Sequence, residues 1–215
     1  MGRLFLDRSA GVLWHTAYGR FDPELRVWRT EKIPDPLPSS AALSLRDAVR
    51  WLQRGSGRPC RPPIGVIGAR EATDAQLEFA TALGRGLAEM SLVVLCGGLG
   101  GVMAAVSRGA AEAGGTVVGV LPDGDWRTAN SWVGIPIATG IGVARNAIIA
   151  RAAIALVAIG GGYGTISELA FGLQFGKPVI GYFADPPLAG IERVGTVDET
   201  LDRVACVALE LPGTG

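Results

Sequence analysis

The chain is poor in the residues that most metal sites and nucleophilic triads require. It has 215 residues but a single histidine, His15, and three cysteines, Cys60, Cys96 and Cys206, whose spacing matches no CxxC pattern. Metal sites made of His and Cys clusters, and triads that need a histidine base, are therefore not expected. Sparse cysteines without a partner pattern are typical of reduced thiols, and we expect most of them to be buried.

The chain also lacks a surplus of charge of either sign and a long apolar segment. The 20 Lys and Arg residues balance the 20 Asp and Glu residues, so no electrostatic footprint for nucleic acid or an anionic membrane is present. No 18-residue apolar run is free of charges and glycines, and the start, MGRLFLDRSAGVLWH, has no apolar h-region. We therefore expect a cytoplasmic protein that binds neither nucleic acid nor membranes.

Glycine is the residue in excess, with 32 copies that gather in clusters rather than in repeats. The densest clusters are residues 97–101 and 160–164. Glycines concentrated where strands end indicate tight turns or a close approach of the backbone to another group.

Residues 1–54 differ from the rest and are predicted to form a small β-hairpin/helix extension. Residues 12–18 and 25–30 are the predicted hairpin strands, with residues 19–24 as the turn. Ser44 has the spacing of a capping box, which predicts a short helix directly after it. We expect three tryptophans to form the core of the extension: Trp14, Trp28 and Trp51. His15 is expected to have a surface or small-core role. Because roughly 54 residues rarely bury enough surface alone, we expect the extension to pack on the main domain or on a second subunit.

Residues 55–63 are typical of a linker, and residues 64–215 are predicted to form the main domain. From residue 64 onward, short apolar strands without polar alternation are separated by helices, which indicates a parallel sheet covered on both faces. The predicted strands are 64–67, 92–95, 116–121, 135–138, 154–159 and 179–182, and the predicted helices are 73–90, 101–113, 143–152, 166–175 and 196–204. The fold class is therefore α/β, a Rossmann-like doubly wound and mostly parallel sheet, whose ligands bind at the carboxyl ends of the strands.

The first glycine cluster follows a strand and opens a helix. Free backbone N–H groups and the positive end of the helix dipole meet there, and Gly98, Gly100 and Gly101 would let an anion approach closely. The alternative is a tight turn whose glycines serve only the packing of helix on strand. The residues alone do not separate these two interpretations.

The second cluster has the same context and adds a hydroxyl donor, Thr165, at the predicted helix start. A phosphate cradle would use Gly161, Gly162 and Gly164, with Glu168 facing the same crevice. The alternative is that Thr165 and Glu168 form only a capping box, because T-x-x-E is that pattern. We favour the phosphate cradle, since the capping box leaves three successive glycines unexplained.

Two further elements could reach the same edge of the sheet. Arg145 and Asn146 lie near the N-terminus of a predicted helix, where the positive charge of an arginine interacts unfavourably with the helix dipole. The guanidinium of Arg145 therefore either binds a phosphate or a ribose, or Arg145 is an exposed surface arginine. Gly68 and Arg70 follow the first strand and are either an anion contact or part of a plain loop.

These motifs together resemble the Lonely Guy family, whose members often carry the label lysine decarboxylase. The segment IGGGYGTISE, residues 159–168, resembles the family's PGGxGTxxE motif, and GGLGGVMAA, residues 97–105, resembles its GGGxxGLMG motif. Arg145 and Glu168 are separated like that family's catalytic arginine and glutamate. The resemblance implies cleavage of the N-glycosidic bond of nucleoside 5′-monophosphates, with Arg145 and Glu168 as catalytic residues. It also implies that Gly161, Gly162, Gly164 and Thr165 hold the 5′-phosphate with help from Gly100 and Gly101. The further candidate residues of this phosphate or nucleotide site are Gly68, Arg70, Gly98, Met103 and Asn146.

The chain departs from those motifs in ways that favour a sister group. The motif's proline is Gly160 here, and the arginine–lysine pair is Arg145–Asn146. The segment TGIGVARNAIIARAA, residues 139–153, followed by GGGYGT, resembles the molybdenum cofactor carrier proteins, which bind a pterin phosphate without turning it over. The expected ligand is therefore an AMP-like nucleotide or molybdopterin, with no further cofactor required and catalysis left open. Relatives of both kinds imply a homo-oligomer, either a dimer or a tetramer.

Overall fold

The computed structural model describes residues 2–34, 42–58, 60–182 and 188–212. The chain divides into two compact units. One unit is Met1–Cys60 together with Ala205–Gly215, and the other is Arg61–Val204. The C-terminal residues thus group with the N-terminal extension and not with the larger unit.

The first unit contains a five-stranded antiparallel sheet rather than a hairpin. Its strands have the order β4-β3-β2-β1-β5, and one helix, α1, follows them. The segment predicted as a turn, residues 19–24, contains strand β3 instead, because Gly19 and Phe21 alternate inward with Arg20 and Asp22 on the other face. The elements are β1 (Leu4–Asp7), β2 (Val12–His15), β3 (Gly19–Asp22), β4 (Val27–Arg29), β5 (Ala42–Leu43) and α1 (Leu45–Arg54).

Aromatic side chains pack together in this unit. His15 is buried and stacks on Tyr18 with ring centroids 4.6 Å apart, and Trp28 packs against Phe21 at 4.9 Å. The indole Nε1 of Trp28 donates a hydrogen bond of 2.7 Å to the carbonyl oxygen of Leu209. His15 therefore has the core role that was one of its two expected roles. Ser44 caps α1 as predicted, since its side chain accepts from the Asp47 backbone N–H.

The second unit contains a seven-stranded sheet with the order β12-β11-β10-β6-β7-β8-β9, and every pair of neighbours is parallel. This is the doubly wound Rossmann-like architecture predicted from the sequence. Its strands are β6 (Ile64–Gly68), β7 (Val94–Cys96), β8 (Val117–Leu121), β9 (Ile135–Ala138), β10 (Ala155–Ile159), β11 (Val179–Tyr182) and β12 (Ile191–Arg193). Its helices are α2 (Asp74–Glu89), α3 (Val102–Glu112), α4 (Arg145–Ala152), α5 (Tyr163–Gln174) and α6 (Val197–Ala208), the last of which ends in the first unit.

The direction of winding reverses between β6 and β10. The chain runs outward from β6 through β7 and β8 to β9, then returns to place β10 on the other side of β6. Such a switch point leaves a crevice at the carboxyl ends of the two strands, where ligands of this fold class bind. Both glycine-rich clusters follow strands that end at this edge, one after β7 and one after β10.

Small residues let the core elements approach one another. The five residues of β10 are all buried. A Cβ atom on Gly84 of α2 would overlap the Val106 backbone, and one on Gly109 of α3 would overlap the Thr81 backbone. Glycine at these two positions therefore allows α2 and α3 to pack at close range.

Most predicted boundaries in the second unit lie within a few residues of the observed ones, and two differences are notable. Helix α5 begins at Tyr163, three residues before the predicted start at residue 166. Strand β12 was not predicted. Within the described ranges, no helix is long and apolar enough to cross a membrane.

Candidate functional site

The first glycine cluster forms the turn between β7 and α3. A Cβ atom on Gly98 would lie 2.6 Å from Leu121 Cδ2, and one on Gly101 would overlap the carbonyl oxygens of Ala69 and Arg70. Packing therefore accounts for glycine at these two positions. Gly100 differs, because nothing lies within 4 Å of a Cβ built on it. Gly100 is exposed, and it lies two residues before the first residue of α3.

The second cluster forms the turn between β10 and α5. Gly162 is the N-cap of α5, and neither Gly162 nor Gly164 has any atom within 4 Å of an added Cβ. A Cβ on Gly161, whose φ is +141°, would lie 2.5 Å from Thr165 Cβ. This loop therefore presents open backbone at the ligand edge of the sheet, directly at a helix N-terminus.

The capping-box interpretation of this loop was wrong. The N-cap is Gly162, no side chain caps α5, and Thr165 is the third residue of the helix with 3% of its surface exposed. Glu168 is consequently one turn further into α5 than predicted and is 5% exposed. Both side chains face the interior behind the loop, and Thr165 packs against Gly161.

Arg145 and Glu168 form a buried ion pair that joins the two loops. Arg145 Nη1 donates to Glu168 Oε1 over 3.0 Å, and the two residues are 9% and 5% exposed. The Arg145 guanidinium also lies on Gly97, where an added Cβ would be 2.6 Å from Cζ. The interpretation of Arg145 as an exposed surface residue was therefore wrong. Its Nε is buried and has no hydrogen-bond partner in the described part of the chain.

Burial raises the pKa of Glu168 to about 7, although the charge of Arg145 and its hydrogen bond act to lower it. The loss of hydration of the ionised carboxylate on burial is the largest effect and outweighs the attraction of Arg145. Burial likewise raises the pKa of the neighbouring Cys96 thiol. The charge of this pair therefore changes near neutral pH.

Asn146 ties the start of α4 to the start of α5. Its Nδ2 donates to the Gly164 carbonyl oxygen over 3.2 Å and to Ser167 Oγ over 2.7 Å. Ser167 Oγ in turn donates to the same carbonyl oxygen at 2.7 Å. The neutral amide thus fixes the first turn of α5, and its Nδ2 points into the protein.

The other sequence-predicted residues divide between packing and a cleft. Met103 is 7% exposed, and a Cβ on Gly68 would meet Val102 Cβ at 2.9 Å. Arg70 is exposed and lines an open cleft of about 520 Å³ next to the first loop. The cleft lining combines that loop, the loop after β6 and the loop after β8: Arg70, Leu99, Gly100, Pro122, Asp123, Thr128 and Asn130.

The residues contributed by the loop after β8 were missed as site residues in the sequence. Asn130 fastens this loop to the first glycine cluster, with its backbone N–H donating to Gly98 O at 2.8 Å and its Nδ2 to Leu99 O at 2.9 Å. A polar segment at the end of a parallel strand was the available signal, since such loops form binding sites in this fold. Among the described residues, no group of three or more His, Cys, Asp or Glu residues forms a possible metal site.

Comparison with known proteins identifies the family. The model of the SLOG cluster4 family matches residues 61–203. The chain belongs to the SLOG cluster4 family. The matched region contains both glycine loops, the Arg145–Glu168 pair and the cleft.

Relatives of this SLOG cluster4 chain include proteins described as molybdenum cofactor binding and carrier proteins. An uncharacterized protein of Archaeoglobus fulgidus is 42% identical over 139 residues, which are 65% of this chain and 91% of the relative. The structure of the molybdenum cofactor binding protein from Rippkaea orientalis is 32% identical with a TM-score of 0.66, covering 70% of this chain and 99% of that one. The Moco carrier protein of Chlamydomonas reinhardtii is 36% identical with a TM-score of 0.65, covering 71% of this chain and 100% of that one.

Proposed function

We propose that this protein binds a phosphate-bearing heterocyclic ligand, of the pterin or nucleotide type, and carries or senses it without breaking it. Molybdopterin, the organic part of the molybdenum cofactor, is the proposed cargo. The proposal is supported by the likeness to molybdenum cofactor binding proteins at 32% and 36% identity over nearly their whole length. The residues that carry it are the two open glycine loops at the switch point of the sheet.

The phosphate end of such a ligand fits the open backbone of the loops. Gly100, Gly162 and Gly164 are exposed and have open space in the direction of an added Cβ, and α3 and α5 begin beside them. Backbone N–H groups and the helix dipoles favour an anion at this point. Arg70 in the adjacent cleft supplies a guanidinium suited to phosphate oxygens.

The conformation of Gly160 favours a carrier over the Lonely Guy hydrolases that the motifs resemble. Gly160 has φ +56°, whereas proline holds φ near about −65°, so the proline of the PGGxGTxxE motif does not fit this backbone. A side chain here would also overlap the amide of Gln76, which caps α2. The loop therefore follows a different path from one that begins with proline.

The burial of Glu168 is the single observation that argues most directly against turnover. A carboxylate that steadies positive charge on a ribose must reach the sugar. Glu168 is 5% exposed, and its Oε1 already accepts a hydrogen bond from Arg145. The two residues nonetheless form one ion pair beside both glycine loops, and this supports phosphoribohydrolase activity as the second candidate function.

One set of incubations separates the two functions. The full chain is mixed without oxygen with molybdenum cofactor released from a molybdoenzyme, and the protein fraction after gel filtration is assayed for oxidised pterin fluorescence and for molybdenum. We expect retention of pterin close to one equivalent. In parallel, AMP, GMP, CMP, UMP and isopentenyladenosine monophosphate are incubated with the protein, and free base is measured by chromatography.

Variants make the result specific to the site. Gly162→Val adds a side chain to the open loop at an ordinary backbone angle and should abolish retention, whereas Gly134→Val, at an exposed glycine before β9, should retain the ligand. Release of free base that disappears in Glu168→Gln would establish the hydrolase instead. Retention by Gly162→Val equal to that of the unmodified chain would place the ligand elsewhere.

A further inference from the structure

We propose that Asp123 reads the ring of the ligand and selects heterocycles that present two adjacent N–H donors on one edge, as guanine and pterins do. The proposal rests on the proposed function, because it takes a phosphate-bearing ligand to enter the cleft beside the first glycine loop. It adds a residue that determines specificity and a chemical class of ring.

The cleft has the size and the polarity for such a ring. Its volume of about 520 Å³ lies inside the range of roughly 300–1,000 Å³ that small-molecule sites occupy. Leu99 and Pro122 supply apolar surface in the lining, and Gly100 joins the cleft to the open loop that faces α3. A ligand whose phosphate lies on the loop therefore places its ring among the remaining lining residues.

The carboxylate of Asp123 is an acceptor that no other described residue uses. Asp123 follows β8 by two residues, so it lies at the ligand edge of the sheet. Its backbone oxygen accepts from the Gly140 N–H over 3.1 Å, which fixes the main chain and leaves the side chain exposed in the cleft. The nearby cation Arg127 pairs with Asp125 instead, at 3.2 Å.

The other polar side chains of the cleft are already engaged or carry the wrong charge. Asn130 donates through Nδ2 to Leu99 O, and its Oδ1 accepts from the Trp132 N–H at 3.1 Å. Thr128 Oγ1 donates to the Asp125 carbonyl oxygen at 2.9 Å. Arg70 is a cation suited to the phosphate. Asp123 is the acidic side chain of this lining, and both of its carboxylate oxygens are without a partner among the described residues.

A carboxylate in this position discriminates by hydrogen-bond polarity. An ionised carboxylate only accepts hydrogen bonds, and its two oxygens take two parallel N–H donors at once. Guanine offers N1–H and the 2-amino group side by side, and pterins offer the equivalent N3–H and 2-amino group. Adenine presents its 6-amino donor beside the acceptor N1. The N1 lone pair would then face a carboxylate oxygen with no proton between the two atoms, which disfavours adenine.

The test compares ring recognition with phosphate binding in the full chain. Binding of GMP, IMP, AMP, neopterin monophosphate and inorganic phosphate is measured by titration calorimetry at pH 7.5. We expect GMP and neopterin monophosphate to bind roughly tenfold to hundredfold more tightly than AMP, as a bidentate contact does when it reads a base. IMP, which lacks the 2-amino group, should lie between GMP and AMP.

Two variants assign the preference to one side chain. Asp123→Asn should bring GMP and AMP to within about threefold of each other and leave the affinity for inorganic phosphate unchanged. Asp125→Asn, in the same loop but bonded to Arg127, should keep the preference of the unmodified chain. Asp123 is exposed, so its replacement should leave the unfolding temperature within about 1–2 °C.

The possible failures are distinguishable. Equal binding of GMP and AMP by the unmodified chain would overturn ring selection while leaving a phosphate ligand in place. A preference for GMP that survives in Asp123→Asn would overturn the role of Asp123. Absence of binding for all four phosphate monoesters and for phosphate itself would overturn the proposed function, and ring selection with it.

Discussion

The buried carboxyl of Glu168 should make the stability of this protein depend on pH in a way that one substitution removes. Because the pKa of Glu168 is raised from 4.5 to about 7 in the folded chain, folding favours its protonated form. The stabilisation from this group is therefore fully present below pH 4.5 and is lost as pH rises through 7. A shift of this size corresponds to about 3 kcal/mol of unfolding free energy over the whole range.

The perturbation is Glu168→Gln, which keeps the shape of the side chain but cannot ionise. Unfolding in urea is followed for both proteins between pH 5.5 and 8.5, where the unmodified chain should lose about 2 kcal/mol that the variant does not lose. In thermal unfolding the same divergence amounts to roughly 4–8 °C for a chain of this size. Other titrating groups, including the buried His15, contribute equally to both proteins and cancel in the difference.

A control separates burial from simple loss of charge. Glu78 lies exposed on α2, and Glu78→Gln removes one negative charge without touching the site. The stability of this control should follow that of the unmodified chain at each pH. If Glu168→Gln and the unmodified chain instead change in parallel from pH 5.5 to 8.5, the reasoning that burial outweighs the pairing with Arg145 is wrong.

Three further predictions concern the two loops. Gly97→Ala should displace the Arg145 guanidinium and lower the unfolding free energy by about 1–3 kcal/mol in urea titrations. A loss below ~0.5 kcal/mol would show that the guanidinium moves away from residue 97 without a measurable cost. Gly161→Ala should cost about 1–3 kcal/mol, because φ +141° and the Thr165 side chain both oppose a Cβ; a variant as stable as the unmodified chain would contradict that backbone geometry. Sulfate, whose charge is constant over this range, should bind roughly tenfold more weakly at pH 8.5 than at pH 5.5, because the ionised carboxylate of Glu168 repels an anion held by the neighbouring loops; calorimetry on Glu168→Gln should show no such change.

The larger unit was predictable because its signals are local and consistent. Apolar strands such as 135–138 and 179–182 have the predicted bounds, since each is a short run bordered by turn residues. Parallel strands put their carboxyl ends on one edge, so the glycine clusters were correctly expected to lie together. Helix α2 likewise begins within one residue of the predicted start at residue 73.

The errors occurred where a local pattern had two structural solutions. T-x-x-E at residues 165–168 fits a capping box, but Gly162 caps α5 because the glycines before it allow the helix to begin earlier. Gly19 followed by Asp22 and Pro23 is typical of a turn, yet Phe21 is needed in the core and draws the segment into β3. Neither outcome follows from local preference alone, since tertiary packing decides both.

The buried contact between Arg145 and Glu168 was harder to predict from the sequence. An arginine is usually exposed, and its burial here depends on a partner 23 residues away on another helix and on the absence of a side chain at Gly97. The ring-facing residue Asp123 was missed for a similar reason. Its role depends on which neighbouring side chains are already hydrogen-bonded, and the sequence does not record that.

The contact between Arg145 and Gly97 also constrains how this site can evolve. Because one guanidinium rests on the first loop and bonds to a carboxylate beside the second, substitutions in the two loops are expected to be epistatic. A larger residue at position 97 becomes tolerable only after position 145 is shortened, and that step leaves Glu168 without its partner. Lineages that change the ligand are therefore expected to vary exposed cleft residues such as Asp123 before residues 97 and 145.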